Sequence, residues 1–335
     1  MRRAGTVCGS LILILFAAAA ALRGQKPALQ KVRVVSIPAR PLPLTVATMH
    51  GTFAKYGLEV QDEVAPSSDK LRSMIAADEA DIAHVSVDNS VAMVDTGVAD
   101  VVVVLGGEST LNELIAQPDI HSMSDLRGKT ISVDAPNTAY ALQLRKMLRS
   151  VGLEAGRDYQ MKPIGASPLR LKALHENKQY AATVLGPPAS LAAKNDGFVS
   201  LGPVEKFVGR SQSASAFVKR KWAQSHSDIL VRYLAAYVEG QRWLLDAANK
   251  PQVIELIQKE FNLPATVAAE MYAGSMQGHG GYQKDAQFDL DGFKNVLKLR
   301  AEIEGPPAGK APAPAKYYDL SYYRKALVKL KNPAK

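Results

Sequence analysis

Asn137 and Thr138 belong to a Pro136-Asn137-Thr138 corner between a short apolar stretch at 130–133 and an amphipathic stretch at 139–150. Either side chain can cap a helix starting at 139, whose first free amides then point out of the carboxyl end of the preceding strand. Backbone donors gathered there, backed by the positive end of the helix dipole, suit the polar head of a small ligand. The chemistry on offer is binding. A micromolar binder needs about 8 kcal/mol, whereas a helix terminus supplies about 2 kcal/mol at best. Most of the affinity must come from burial in a closed cleft and from several directed hydrogen bonds.

Other chemistries find less in the sequence. The six histidines (His50, His84, His121, His175, His226 and His279) are far apart, with no helical pair and no metal-binding run. There is neither a G-x-S-x-G elbow nor a phosphate-binding G-x-x-x-x-G-K-[ST] loop. Gly278-His279-Gly280-Gly281 follows a helical stretch and has no strand before it, so it reads as a plain loop. Asp289-Leu290-Asp291-Gly292 resembles part of a calcium loop but lacks the later acid, and helix capping explains it better. The one cysteine, Cys8, precedes an apolar run at 11–22 that follows Arg2 and Arg3 and is too short to span a membrane. That run, with Ala17 to Ala21 near its end, reads as a secretory signal peptide at 1–25, cleaved between Ala19 and Gln25. The exported chain would then carry no disulfide, thiolate nucleophile or cysteine-based metal site. No cofactor and no metal are expected.

The elements that position the corner follow from the apolar pattern. At 335 residues the chain is long enough for two α/β lobes, and its 47% hydrophobic content is that of a globular protein. Apolar runs at 31–37, 58–64, 82–85 and 101–105 read as strands that alternate with helices at 42–56, broken near Gly51, at 70–77 and up to 94. Each strand ends in a loop of small or polar residues, the signature of a parallel sheet whose ligands lie outside its carboxyl ends. A strand at 111–116 carries the chain to a second, smaller α/β set with strands at 130–133, 161–164 and 181–185. Residues 213–218 read as its last strand. In the helix at 139–150, Ala141, Leu144, Met147, Leu148 and Val151 share one face, with Gln143, Arg145, Lys146 and Arg149 opposite. Helices at 228–246, 252–261 and 289–303, a Gly/Pro/Ala linker at 305–315 and a final helix within 317–331 complete the chain.

Charge narrows the partners. The formal +9 includes Arg2, Arg3 and Arg23, leaving 9 − 3, or about +6, after signal cleavage. The basic residues are spread out, concentrating only mildly at the tail, and form no stripe with interleaved aromatics, so no nucleic-acid partner is expected.

Five segments then point to one family: HGTFAKYGLEV (50–60), LRSMIAADEADIAHV (71–85), DLRGKTISV (125–133), LGPPASLAAKNDGF (185–198) and YYDLSYYRKAL (317–327). In this order the chain resembles the type II periplasmic solute-binding fold, and within it the family of thiamine-precursor, sulfonate, taurine and nitrate binders, from 32 to 330. The resemblance implies two lobes with parallel-type sheets, flanking helices and a hinge, residues 30–112 plus 220–335 forming one lobe and 113–219 the other. It implies a monomeric periplasmic receptor that closes on a small organic solute and presents it to an inner-membrane ABC permease. Alternatives are a binding module for a sensor or a TRAP-type system. A related branch makes the thiamine pyrimidine with a cysteine-rich iron motif, a route that a chain with Cys8 alone does not support.

The ligand contacts implied by position are Pro38, Ala39 and Arg40 after the first strand, Ser67 and Ser68 after the second, Ser86, Asp88 and Asn89 after the third, and Gly106 and Gly107 after the fourth. From the smaller lobe come Asp134, Pro136, Asn137, Thr138, Tyr140, Gly186 and Pro187, with Arg210 and Ser211 as outliers. The serines are equally readable as helix caps, and Arg40 either as a solvent-facing cation or as a partner for a carboxylate or sulfonate. Asp134 opposes an anion: at a helix amino terminus its carboxylate contributes about 0.3–1 kcal/mol and repels negative charge. That leaves an amine or a heteroaromatic ring in play.

Overall fold

Ten strands form two five-stranded sheets in the computed structural model, which describes residues 28–38, 40–109, 111–276, 281–305 and 313–332. The strands are β1 Gln30–Ser36, β2 Leu58–Val64, β3 Ile82–Ser86, β4 Val101–Leu105, β5 Glu113–Ala116, β6 Thr130–Val133, β7 Gln160–Pro163, β8 Tyr180–Leu185, β9 Val199–Pro203 and β10 Ala214–Lys219. The expected signal peptide at 1–25, Ala39, the loop residues Gly278, His279 and Gly280, and 306–312 of the linker lie outside the described residues. No described helix is long and apolar enough to cross a membrane.

The first sheet has the order β2-β1-β3-β10-β4 and the second β7-β6-β8-β5-β9. β1 runs parallel to β2 and β3, and β6 parallel to β7 and β8, as the apolar runs predict. Neither sheet is wholly parallel, however. β10 pairs antiparallel with β3 and β4, and β5 pairs antiparallel with β8 and β9.

Two expectations are corrected by this pairing. Residues 213–218 do not close the second lobe, because β10 is inserted in the middle of the first sheet. The reason is burial on both sides: Ala216 and Val218 enter the core on one face of that sheet, while Phe217 enters the core on the other. Likewise β5 is a full member of the second sheet and not a connector. The chain therefore crosses between the lobes within 106–112 and returns within 204–213, ahead of β10 and not after Lys219. The two crossing segments run side by side, with an antiparallel bridge between Ser109 and Gln212 and a 3.0 Å hydrogen bond from the Ser213 amide to the Glu108 carbonyl.

Local choices match the chain's punctuation. Gly51, at φ 65°, separates the helix Leu42–Met49 from the turn Thr52–Lys55, a backbone conformation that a side chain would disfavour. Ser67 caps the helix Ser68–Ala76, its hydroxyl accepting from the Lys70 amide at 3.2 Å. The long helix Ser227–Leu245 lies over one face of the first sheet, packing Leu230, Leu234 and Val238 against β1, β3 and β4 residues. In the helix Ala139–Arg149 the expected apolar face is buried at Ala141, Leu144, Met147 and Leu148, while Val151 lies past the helix end and is 37% exposed. Gln143 departs from its assigned face: it is buried and accepts a 2.9 Å hydrogen bond from Asn112.

Candidate ligand cleft

The carboxyl ends of β1, β3 and β4 and those of β6 and β8 face each other across a cleft of about 440 Å³, within the range of small-molecule sites. Strand order reverses between β1 and β3 in one sheet and between β6 and β8 in the other, which leaves a crevice at each switch point. The antiparallel strands contribute their amino ends instead. That is how Leu111 and Asn112 before β5, and Ser213 to Ser215 at β10, reach the same wall.

Of the residues assigned from sequence, Pro38, Arg40, Ser68, Ser86, Asn89, Gly106, Gly107, Thr138, Tyr140, Gly186 and Pro187 line this cleft. The glycines matter because backbone comes close: a Cβ on Gly107 would lie 2.7 Å from the Ala214 carbonyl oxygen, and one on Gly186 would lie 2.5 Å from Asn112 Oδ1. Thr138 occupies the N-cap position of the helix Ala139–Arg149 without capping it, because its hydroxyl donates back to the Ala135 carbonyl at 3.0 Å. The first-turn amides, free of any side-chain cap, therefore border the cleft at Ala139 and Tyr140.

Ser67, Asp88, Asp134, Pro136, Asn137, Arg210 and Ser211 stand outside the lining, and most have another job. Ser67 is the helix cap already described. The Ser68 hydroxyl donates to Asp134 Oδ2 at 2.5 Å across the gap between lobes, since a buried carboxylate takes the nearest donor. Asn137 is gripped twice from the first lobe, with Arg72 donating to its Oδ1 and Arg300 to its carbonyl, both at 3.1 Å. Asp88 is 1% exposed and is ion-paired to Arg300 at 2.6 Å. Arg210 pairs with Asp289 at 2.5 Å, and Asp289 caps the helix Leu290–Glu304 through the Gly292 amide, as expected for a cap and not a calcium loop. Further contacts join the lobes. Arg145 donates to the Ile303 carbonyl at 3.2 Å, Lys146 pairs with Glu302, and Leu191 packs among Leu42, Val46 and Val267.

Several wall residues escaped the sequence reading. His84 is buried, with Nε2 2.8 Å from the Tyr233 hydroxyl and its ring stacked on Tyr237 at 4.8 Å. Burial, with Arg40 adding repulsion, lowers its pKa to about 3, so the imidazole is neutral. Glu108 belongs to the crossing segment, and burial raises its carboxyl to about 7. Tyr140 is held from behind by Arg170, whose guanidinium lies 4.5 Å from the ring centroid. Arg40, the candidate anion-binding cation, is already engaged, its Nε 2.6 Å from Asp62 Oδ2. Among the described residues no three histidine, cysteine or acidic side chains converge as a metal site would require.

Comparison with known proteins agrees with this architecture. The model of the NMT1-like family matches residues 27–258. A protein of Bordetella bronchiseptica RB50 superposes with a TM-score of 0.77 at 20% identity, over 92% of this chain and 100% of its own. The periplasmic nitrate-binding protein NrtA of Synechocystis PCC 6803 gives 0.77 at 16% identity, over 92% and 91%. The alkanesulfonate-binding protein SsuA of Xanthomonas axonopodis pv. citri, bound to MOPS, gives 0.70 at 17%, over 87% and 98%. No curated protein matches the sequence. The shared structure is the two-lobed fold of periplasmic binding proteins, here with two mixed sheets flanked by helices.

Proposed function

We propose that this chain, which belongs to the NMT1-like family, is the exported solute-binding component of an ABC importer and hands a small organic solute to the permease. The observation that carries the reading is the cleft itself. Two sheets present loops, an uncapped helix start and glycine-lined backbone to one shared space of about 440 Å³, and among the described residues the chain crosses between the lobes in two segments that reach its wall at Gly106 to Ser109 and at Ser213. A solute held there touches both lobes at once, so its binding energy favours the arrangement in which the lobes meet. The Ser68–Asp134 and Asn137 contacts belong to that arrangement and would have to break for the cleft to open, with the crossing pair as hinge. In this role the protein is a monomeric periplasmic receptor without catalytic residues.

Thermal unfolding of the exported chain against a solute collection tests the proposal. A bound solute at 100 times its dissociation constant adds about 2.7 kcal/mol of stability, which for a chain of this size appears as a rise of several degrees. Sulfonates, nitrate, amines, pyrimidines and aromatic acids that all left the melting temperature unchanged would contradict it.

A further inference from the structure

The charges around the cleft pair off unevenly. Arg40, in the loop after β1, is matched by Asp62 on β2. His84 on β3 is neutral behind Tyr237. Arg170, beneath Tyr140 in the second lobe, has Asp134 as the carboxylate in its field. Tyr237 and Tyr282 stay protonated, burial and the neighbouring Glu108 charge both raising their pKa values. Glu108 and Glu260 are left over. Both line the cleft, and among the described residues neither has an ion-pair partner. Beside this excess of negative charge stands an unused acceptor: Asn89 is 1% exposed, its Nδ2 donates to the Ser86 carbonyl at 3.3 Å, and its Oδ1 has no hydrogen-bond partner. The Ser86 carbonyl can only accept, which fixes the amide with Oδ1 as the free atom.

Resting on the receptor reading above, we infer that the solute carries a protonated or N–H-donating nitrogen group, as in an amine, an amidine or an amino-heterocycle, and that Glu108 is the residue that selects it. Above its raised pKa Glu108 joins Glu260 as an unpaired carboxylate that repels free oxyanions, while Arg40, the one cationic side chain lining the cleft among the described residues, is already paired with Asp62. An N–H donor finds its acceptor at Glu108, with Asn89 in the same wall and the Tyr237 and Tyr282 rings beside Glu108 to cover its apolar part. Because Glu108 belongs to a segment that crosses between the lobes, a group bound to its carboxylate lies where both lobes can close on it.

The test compares wild type with Glu108→Gln by thermal shift and calorimetry at pH 6 and pH 8, using n-butylamine, benzamidine and 4-aminopyrimidine as one set and nitrate and methanesulfonate as the other. The expected result is that at least one nitrogen compound binds wild type, more tightly at pH 8, and at least tenfold more weakly to the variant. The solute-free protein supplies an independent readout. Glu108 holds its proton more tightly folded than unfolded, so it lowers stability as pH rises from the ordinary 4.5 to about 7, and the variant should lack that loss. Oxyanions binding in place of the nitrogen compounds would overturn the inference and leave the receptor reading intact. Equal binding of nitrogen compounds by both proteins would remove Glu108 as the selector. Silence from both sets would count against the inference and the receptor reading together.

Discussion

Replacing Arg300 with methionine is expected to lower the unfolding free energy by about 3–5 kcal/mol, the usual cost of leaving a buried charge without its partner. Arg300 lies on the helix Leu290–Glu304, reaching Asp88 Oδ1 and Glu304 Oε2, each at 2.6 Å, and the Asn137 carbonyl at 3.1 Å. Asp88 is almost fully enclosed and its second oxygen has no partner, so the guanidinium is its main compensation. Without that cation two carboxylates face one another, and the repulsion already contributes to a raised Glu304 pKa, after burial. Urea denaturation reads the loss, and Asp88→Asn combined with Arg300→Met should recover most of it, since the orphaned charge is then gone. A single variant within about 1 kcal/mol of wild type would show the pair to be a solvent-screened contact. The variant should also bind solute more weakly, because one of the two grips on Asn137 is removed.

Arg170→Met is expected to cost a similar amount, about 3–5 kcal/mol, by a different route. Arg170 is 0% exposed and has no carboxylate in contact. Its charge is spread over four hydrogen bonds, to the Thr183 hydroxyl at 3.0 Å, the Gly165 carbonyl at 2.6 Å, the Ser167 hydroxyl at 3.1 Å and the Val184 carbonyl at 3.0 Å. Methionine fills part of the space and satisfies none of these acceptors. Burial pulls the Arg170 pKa down, but no accessible pH removes the proton from a guanidinium, so the penalty holds across the working range. Tyr140 loses the cation behind its ring as well, and solute affinity should fall together with stability. Tyr140→Phe, which keeps the ring over Arg170, should stay near wild type in stability. Unchanged urea midpoints in Arg170→Met would mean that water replaces the guanidinium at little cost.

Most strands were legible along the chain because runs bounded by glycine, proline and serine mark them locally, whereas their order within the two sheets was not. β9 was not: VSLGP is short, half-buried and ends in Gly-Pro, so nothing in its composition separates it from a loop. β10 was legible as a strand but not as a member of the first sheet, since its pairing with β3 and β4 joins segments more than a hundred residues apart in the chain. The site shows the same limit. Strand-end position places Pro38, Ser86, Asn89, Gly107 and Gly186 at the cleft because backbone geometry alone puts them there. Asp134, Asn137 and Asp88 occupy equivalent positions, yet the first two turn to Ser68 and Arg72, partners that exist only once two lobes are set against each other, and Asp88 turns to Arg300 of its own lobe, 212 residues further along the chain. Glu108 follows a Gly-Gly pair with no local signal of its own, and its importance comes from the crossing of the chain between sheets.

The most direct measurement of the central claim is a crystal structure of the exported protein with the solute that most raises its melting temperature. The expected result is density for that solute between Ser86, Gly107 and Glu108 on one side and Thr138, Tyr140 and Gly186 on the other, with Ser68 bonded to Asp134 across the closed gap. A solute seated on an outer surface, or lobes parted around a cleft that the solute does not enter, would contradict it.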